Sequence, residues 1–357
     1  MNRIPNPAPR THLRLYLLAG YTLFIVYVSL SPFDGWQAQG LDFATVLTAP
    51  LKQTYTWFDA TINGIAYLPF GWLLALCLRP RLPAPASVVL ATTGGLLLSA
   101  SMEYAQLYLP TRISSNLDLL TNSSGSLIGA LLASSLAAAL LPRIRNWRQT
   151  AIQDNSDFGL ALVALWMFAQ INPSLPMLGN VFISELVRKP FTPPPPEIFN
   201  WLESIAVTLN LLMLGSLLLL LLRERRQALT GLIVILSLVA LVKFIAAAAL
   251  LKSWALLLWL NSEAMLGLAC GLFWLAVALG LSVSGVRRLA WLSCGSYLLL
   301  THVVLDASAP SSAMPLYQWR YAHLLNYNGL TQTVVLIFPF LLLGYLWRQR
   351  RPVYRAL

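Results

Sequence analysis

Apolar runs of roughly 14 to 24 residues recur along this chain, separated by short stretches rich in Arg, Pro, Asn and Ser. Bilayers require about 20 apolar residues per crossing helix, so the runs predict spans at 13–30, 62–78, 88–108, 122–141, 158–171, 204–222, 232–251, 258–281, 289–305 and 331–347. The run at 158–171 is short, and 254–260 reads as part of a broken or tilted helix, so nine or ten crossings are expected. Ser31, Pro32 and Phe33 end the first run in a turn with no small-x-small cleavage site, which makes it an uncleaved span rather than a signal peptide.

Composition agrees with the pattern. Of the 357 residues 57% are hydrophobic and 10% charged, against about 25% charged in soluble domains. The expected fold is therefore all-α, a polytopic transmembrane helical bundle of about ten spans. The net charge of +11 does not point to nucleic acid, because the basic residues alternate with the spans. With the N-terminus in the cytoplasm, 17 of the 24 Lys and Arg fall on the inner side, including Arg79 and Arg81, Arg143 to Arg148, Arg223 to Arg226, and Arg287 with Arg288. That asymmetry follows the positive-inside rule and predicts a multi-pass membrane protein with both termini in the cytoplasm. It also puts Asp59, Glu103, Arg112 and Asp118 at or near the outer surface.

Polar residues concentrate between 59 and 129. Asp59, Asn63 and Tyr67 lie four apart, Glu103 and Gln106 three apart, and Asp118 and Asn122 four apart, so each set shares a helix face. A carboxylate inside an apolar helix needs partners or a place near the interface, and Glu103 is such a residue. It reads either as a structural acceptor for Asn63, Gln106, Asn122 or Arg112, or as a group that contacts substrate or handles protons. Arg112 and Asp118 suggest an ion pair bracing a loop, and Asp59 a helix N-cap. Gly71, Gly125 and Gly129 suggest close helix packing.

Asn63, then Leu68-Pro69-Phe70-Gly71 and Leu73-Leu74, then Ser101, Glu103 and Gln106, then Arg112, Asp118, Asn122, Gly125 and Gly129 together resemble the signature of the VanZ-like family. The resemblance covers about residues 13–141. It departs from the family between Arg112 and Asp118, where Ile113-Ser114-Ser115-Asn116-Leu117 stands in place of a second acidic residue that many members carry. The resemblance implies a bacterial inner-membrane, cell-envelope protein with a teicoplanin-resistance or exopolysaccharide type of role and no settled biochemical activity.

Three regions are expected: a four-helix VanZ-like membrane domain at 1–150, a second four-helix region at 151–285, and two C-terminal helices at 286–357. The second region reads as a worn copy of the first, with Asn172-Pro173 matching Ser31-Pro32, Asn210 and Gly215 matching Asn63 and Gly71, and Asn261, Gly267 and Gly271 matching Asn122, Gly125 and Gly129. Residues 146–157 form a predicted cytoplasmic linker. Pro193 to Pro196 read as a stiff outer spacer, and Trp319, Arg320, Tyr321 and His323 as interface residues. Lys243 stands alone in a span, suited to snorkelling or to a carboxylate partner.

Cys77, Cys270 and Cys294 lie in separate spans, and no CxxC, HExxH, Walker A or GxSxG pattern occurs, so neither metal nor cofactor is expected. Three functions fit the outer polar cluster. One is binding or modification of an envelope lipid, a lipid-linked sugar or a peptidoglycan precursor, with Arg112 on an anion and Glu103 and Asp118 on hydroxyls. Another is an intramembrane enzyme using Glu103 as acid or base. The last is a transporter or flippase, for which Lys243 and Asn210 would supply polar groups deep in the membrane.

Overall fold

The computed structural model describes residues 12–31, 33–50, 57–154, 156–173, 175–179, 199–250, 256–301 and 323–349, without the side chains of 57–59, 137–141, 249–250 and 323–332. The spacer prolines and the aromatic loop before His323 lie outside the described residues, as does the side chain of His323. Among the described residues the fold is helical: α1 (Leu13–Leu30), α2 (Phe43–Thr48), α3 (Trp57–Leu78), α4 (Ala84–Gln106), α5 (Asn116–Ala151), α6 (Asp157–Ala169), α7 (Trp201–Leu221), α8 (Arg225–Leu250), α9 (Ser262–Ala278), α10 (Val283–Leu299) and α11 (His323–Arg348).

Among the described residues, six segments are long and apolar enough to cross a membrane: Leu13–Leu30, Ala60–Leu78, Ala84–Gln106, Asn116–Leu136, Trp201–Leu221 and Arg225–Ala248. Asp157–Ala169, Ser262–Ala278 and Thr333–Arg348 are shorter apolar helices. At 1.5 Å per residue the 13 residues of α6 reach only about 20 Å, less than the hydrocarbon thickness.

Helix boundaries follow local chemistry. Pro85 lies in the first turn of α4, where its missing N–H costs nothing. Asn200 caps α7 by accepting from the N–H groups of Leu202 and Glu203 at 3.1 and 3.3 Å, and Asn261 caps α9 by accepting from Ala264 N–H at 2.9 Å. Asn261 thus ends the turn before α9, and the helix starts later than the apolar run beginning at 258 suggests. Pro69 and Pro142 lie inside α3 and α5. α5 continues to Ala151, so much of the expected 146–157 linker is helix; neighbouring helices let a membrane helix tolerate an internal Pro.

The chain forms two compact units, Met1–Asn146 and Trp147–Leu357. In the first, α1 packs on α3 and α4, and α3 on α4. Ile25, Tyr67 and Phe70 form one apolar cluster, and Ala75, Ala91, Ala130 and Ala133 a second. In the second unit α7 is central, touching α6, α8, α9 and α10, with Leu211, Met213, Leu214 and Leu217 fully enclosed. A helix apolar on every side belongs in such a position. α10 packs on α7 and α11 on α6 and α10, all within the second unit.

Candidate functional site

The site is built from the ends of α3 and α4 and the start of α5. On α4 the buried positions are Ser87, Ala91, Gly95, Ser99 and Glu103, a run at four-residue spacing that forms one continuous stripe. Small side chains along it allow α5 to approach closely: a Cβ on Gly95 would collide with the Ser126 hydroxyl. α3 meets α5 more tightly still. A Cβ on Gly125 would fall on the Gly64 carbonyl oxygen, one on Gly129 on that of Leu68, and one on Gly71 on that of Ser126. These contacts are backbone against backbone, the closest approach two helices make.

That approach brings the polar side chains together. Asn63 on α3 donates to Asp118 in the first turn of α5 at 2.8 Å. Asn122, one turn on, donates to Ser99 on α4 at 2.9 Å. Glu103 is 3% exposed and accepts from the Ser115 main-chain N–H at 2.7 Å. Ser115 in turn accepts from Leu117 N–H at 3.2 Å, so Glu103 is tied to the capped start of α5, where the helix dipole favours an anion. Glu103, on the Ser115 N–H, and Asp118, in the first turn of α5, thus meet at the same helix start. Tyr67 Oη, Asn122 Oδ1 and Ser126 Oγ are buried without hydrogen-bond partners. Unsatisfied buried polar atoms each cost about 1–3 kcal/mol, and three sit in this one cluster.

Two expected members face elsewhere. Arg112 donates through Nη2 to the carbonyls of Val28 at 2.9 Å and Ser31 at 2.8 Å. Gln106 donates to Ser29 O at 2.9 Å. Both therefore bind the free carbonyls at the C-terminus of α1, and the expected Arg112–Asp118 ion pair does not form among the described residues. Burial lowers the Arg112 pKa from its usual value; a guanidinium nonetheless stays charged at neutral pH. Asp59 falls inside α3 as drawn from Trp57, not ahead of it as an N-cap would, and its side chain lies outside the described residues.

Sequence reasoning missed Ser99 and Ser115. Ser99 stands one turn before Glu103 on the small-residue stripe, and that spacing was the available signal. Ser115 acts through its main chain, for which sequence carries no mark. Among the described residues no group of three or more His, Cys, Asp or Glu is placed to hold a metal.

Residues 14–141 match the family model described as VanZ/LLP1. No curated protein matches the chain, and no solved structure does. The matched segment runs from α1 into α5 and contains every residue of the cluster, so the polar site lies wholly within a VanZ-like membrane region.

Proposed function

We propose that the α3–α5 cluster of this VanZ-like protein recognises the hydroxyl-bearing headgroup of an envelope lipid, a lipid-linked sugar or peptidoglycan precursor, on the outer side of a bacterial inner membrane. The observation that carries this reading is the buried Glu103 beside Asp118, with Tyr67 Oη, Asn122 Oδ1 and Ser126 Oγ left without partners. Two carboxylates, an amide oxygen and two hydroxyls form an acceptor-rich set suited to sugar hydroxyl donors. Arg112 is a brace for α1 in this reading, and headgroup recognition rests on hydroxyls rather than on an anion. Asn63, Glu103 and Asp118 stand near one end of their helices, and Arg79 and Arg81 follow the other end of α3. The distribution of basic residues supports assigning the cluster end to the outside.

Binding of a fluorescent lipid-linked sugar to the purified full-length chain tests the assignment. Glu103→Gln and Asn122→Ala are each expected to weaken it about tenfold, equivalent to about one hydrogen bond. Arg112→Ala is expected to lower the melting temperature without changing the affinity of the folded fraction. Equal affinity in the wild type and Glu103→Gln would remove the site.

The proximity of the two carboxylates favours one second reading, in which Glu103 exchanges a proton with the bound substrate as general acid or base. A chemically altered product from labelled lipid-linked sugar, lost in Glu103→Gln, would establish it. Transport has less support. Lys243 donates to the Gln170 and Asn172 carbonyls at 3.0 and 2.7 Å. Asn210 accepts from Trp166 at 2.7 Å and donates to Leu178 O at 3.0 Å. Both groups are committed to holding the second unit together.

A further inference from the structure

The second unit contains a cavity of about 550 Å³ between α6, α7 and α8, within the range of small-molecule and lipid sites. Its walls are Leu160 and Val163 from α6, Leu218 and Leu221 from α7, and Val234 and Ile235 from α8. Val234 is 58% exposed, so the wall on α8 is open at its outer surface. A space lined this way does not hold water well, and an acyl chain is the apolar body a bilayer offers it.

One end of the cavity is polar. Glu224, Arg226 and Gln227 line it, close to Trp147. The neighbouring arginines are engaged: Arg223 donates to Ile152 O at 2.9 Å and pairs with Asp154 at 3.4 Å, and Arg225 donates to Leu281 O at 2.6 Å. Arg226 and Glu224 are exposed and form no ion pair among the described residues. Gln227 Oε1 is buried without a partner. The frame beneath them is fixed by main-chain bonds from Gln153 N to Leu221 O and from Arg223 N to Ala151 O, both 2.9 Å.

We propose that this cavity binds a glycerophospholipid with a primary-amine headgroup, its acyl chain between α6 and α8, its phosphate on Arg226 and its ammonium on Glu224 and Gln227 Oε1. The charges match one for one. A primary ammonium has N–H donors for both acceptors, a quaternary ammonium has none, and a glycerol headgroup brings no cation for Glu224.

The test is retention of added lipid by the purified full-length chain in native mass spectrometry, using phosphatidylethanolamine, phosphatidylcholine and phosphatidylglycerol with identical chains. Phosphatidylethanolamine is expected to be retained about two- to fivefold better than the other two, the scale of one partly exposed charge contact. Glu224→Gln should erase its advantage over phosphatidylcholine, and Arg226→Ala should weaken all three by a similar factor. Both side chains are exposed, so neither change disturbs the core. Gly231 also lines the cavity and has ordinary contact space at its Cβ position; Gly231→Leu should reduce occupancy by every phospholipid. Equal retention of phosphatidylethanolamine and phosphatidylcholine by the unsubstituted protein, or an advantage that survives Glu224→Gln, would overturn the proposal.

Discussion

In the first unit α5 presents Gly125 and Gly129 to α3; in the second, α9 presents Gly267 and Gly271 to α7. The spacing is the same and the surroundings are not. Gly125 and Gly129 press on the main-chain carbonyls of Gly64 and Leu68, whereas Gly267 and Gly271 are met chiefly by the side chains of Val207 and Leu211. A second parallel accompanies the first. Arg112 holds the terminal carbonyls of α1, and Lys243 those following α6. An acid in the first turn of the glycine-bearing helix also accepts from the preceding partner in both units: Asp118 from Asn63, and Glu263 from Asn200 N–H at 3.2 Å. The first unit keeps polar groups between its helices, and the second fills the corresponding contact with Val and Leu.

The glycine contacts give the largest expected effect. Gly125→Val puts its Cβ onto a carbonyl oxygen that cannot move without α3, at a cost of about 3 kcal/mol. Gly267→Val meets mainly side chains, although the Ser204 carbonyl lies 2.7 Å from its Cβ position, and is expected to cost about 1–2 kcal/mol. Denaturant-induced unfolding in detergent micelles measures both. Equal losses would mean that the two contacts are energetically alike and that the contrast drawn from their neighbours is wrong.

Replacing the cations is the next step down. Lys243→Met removes two hydrogen bonds to buried main-chain carbonyls and is expected to cost about 1–3 kcal/mol, with Arg112→Met at the lower end of that range because its surroundings are less enclosed. Thermal unfolding of the two variants, singly and together, checks this. Additive losses are expected, since no partner is shared.

Helix identity was legible in this chain because burial in lipid leaves a long apolar run, and each of the ten runs coincides with a helix in the described residues. Ends were less legible. The run at 122–141 ends before Pro142, yet α5 passes through that residue, and Asn261 lies within the run at 258–281 although it caps a helix. For the site, spacing put Asp118 and Asn122 on one face of α5, and the fold sets Asp118 against Asn63 and Asn122 against Ser99. It misdirected Arg112, Gln106 and Lys243 for one reason: their partners are main-chain carbonyls at the ends of α1 and α6, and a carbonyl is present at every residue. Sequence therefore offered an ion pair for Arg112, and snorkelling or a carboxylate for Lys243, where the fold uses helix ends.

The smallest expected change in stability is the most informative about the contrast between units. Tyr67 is 4% exposed and its hydroxyl has no partner, so Tyr67→Phe removes an unsatisfied group while keeping the ring against Phe70. Stability should stay within about 0.5 kcal/mol of wild type or rise slightly, since deleting an unpaired buried hydroxyl removes its desolvation cost. Sugar-lipid binding should nonetheless fall about two- to fivefold if that hydroxyl faces the ligand, the loss of one neutral hydrogen bond. The matching control in the second unit is Trp166→Phe, whose indole N–H does have a partner in Asn210. It should lose stability by about 1–2 kcal/mol and leave binding unchanged. A Tyr67→Phe protein that binds normally would place the unpaired hydroxyl outside the recognition site, and the polar surplus of the first unit would then be a feature of packing alone.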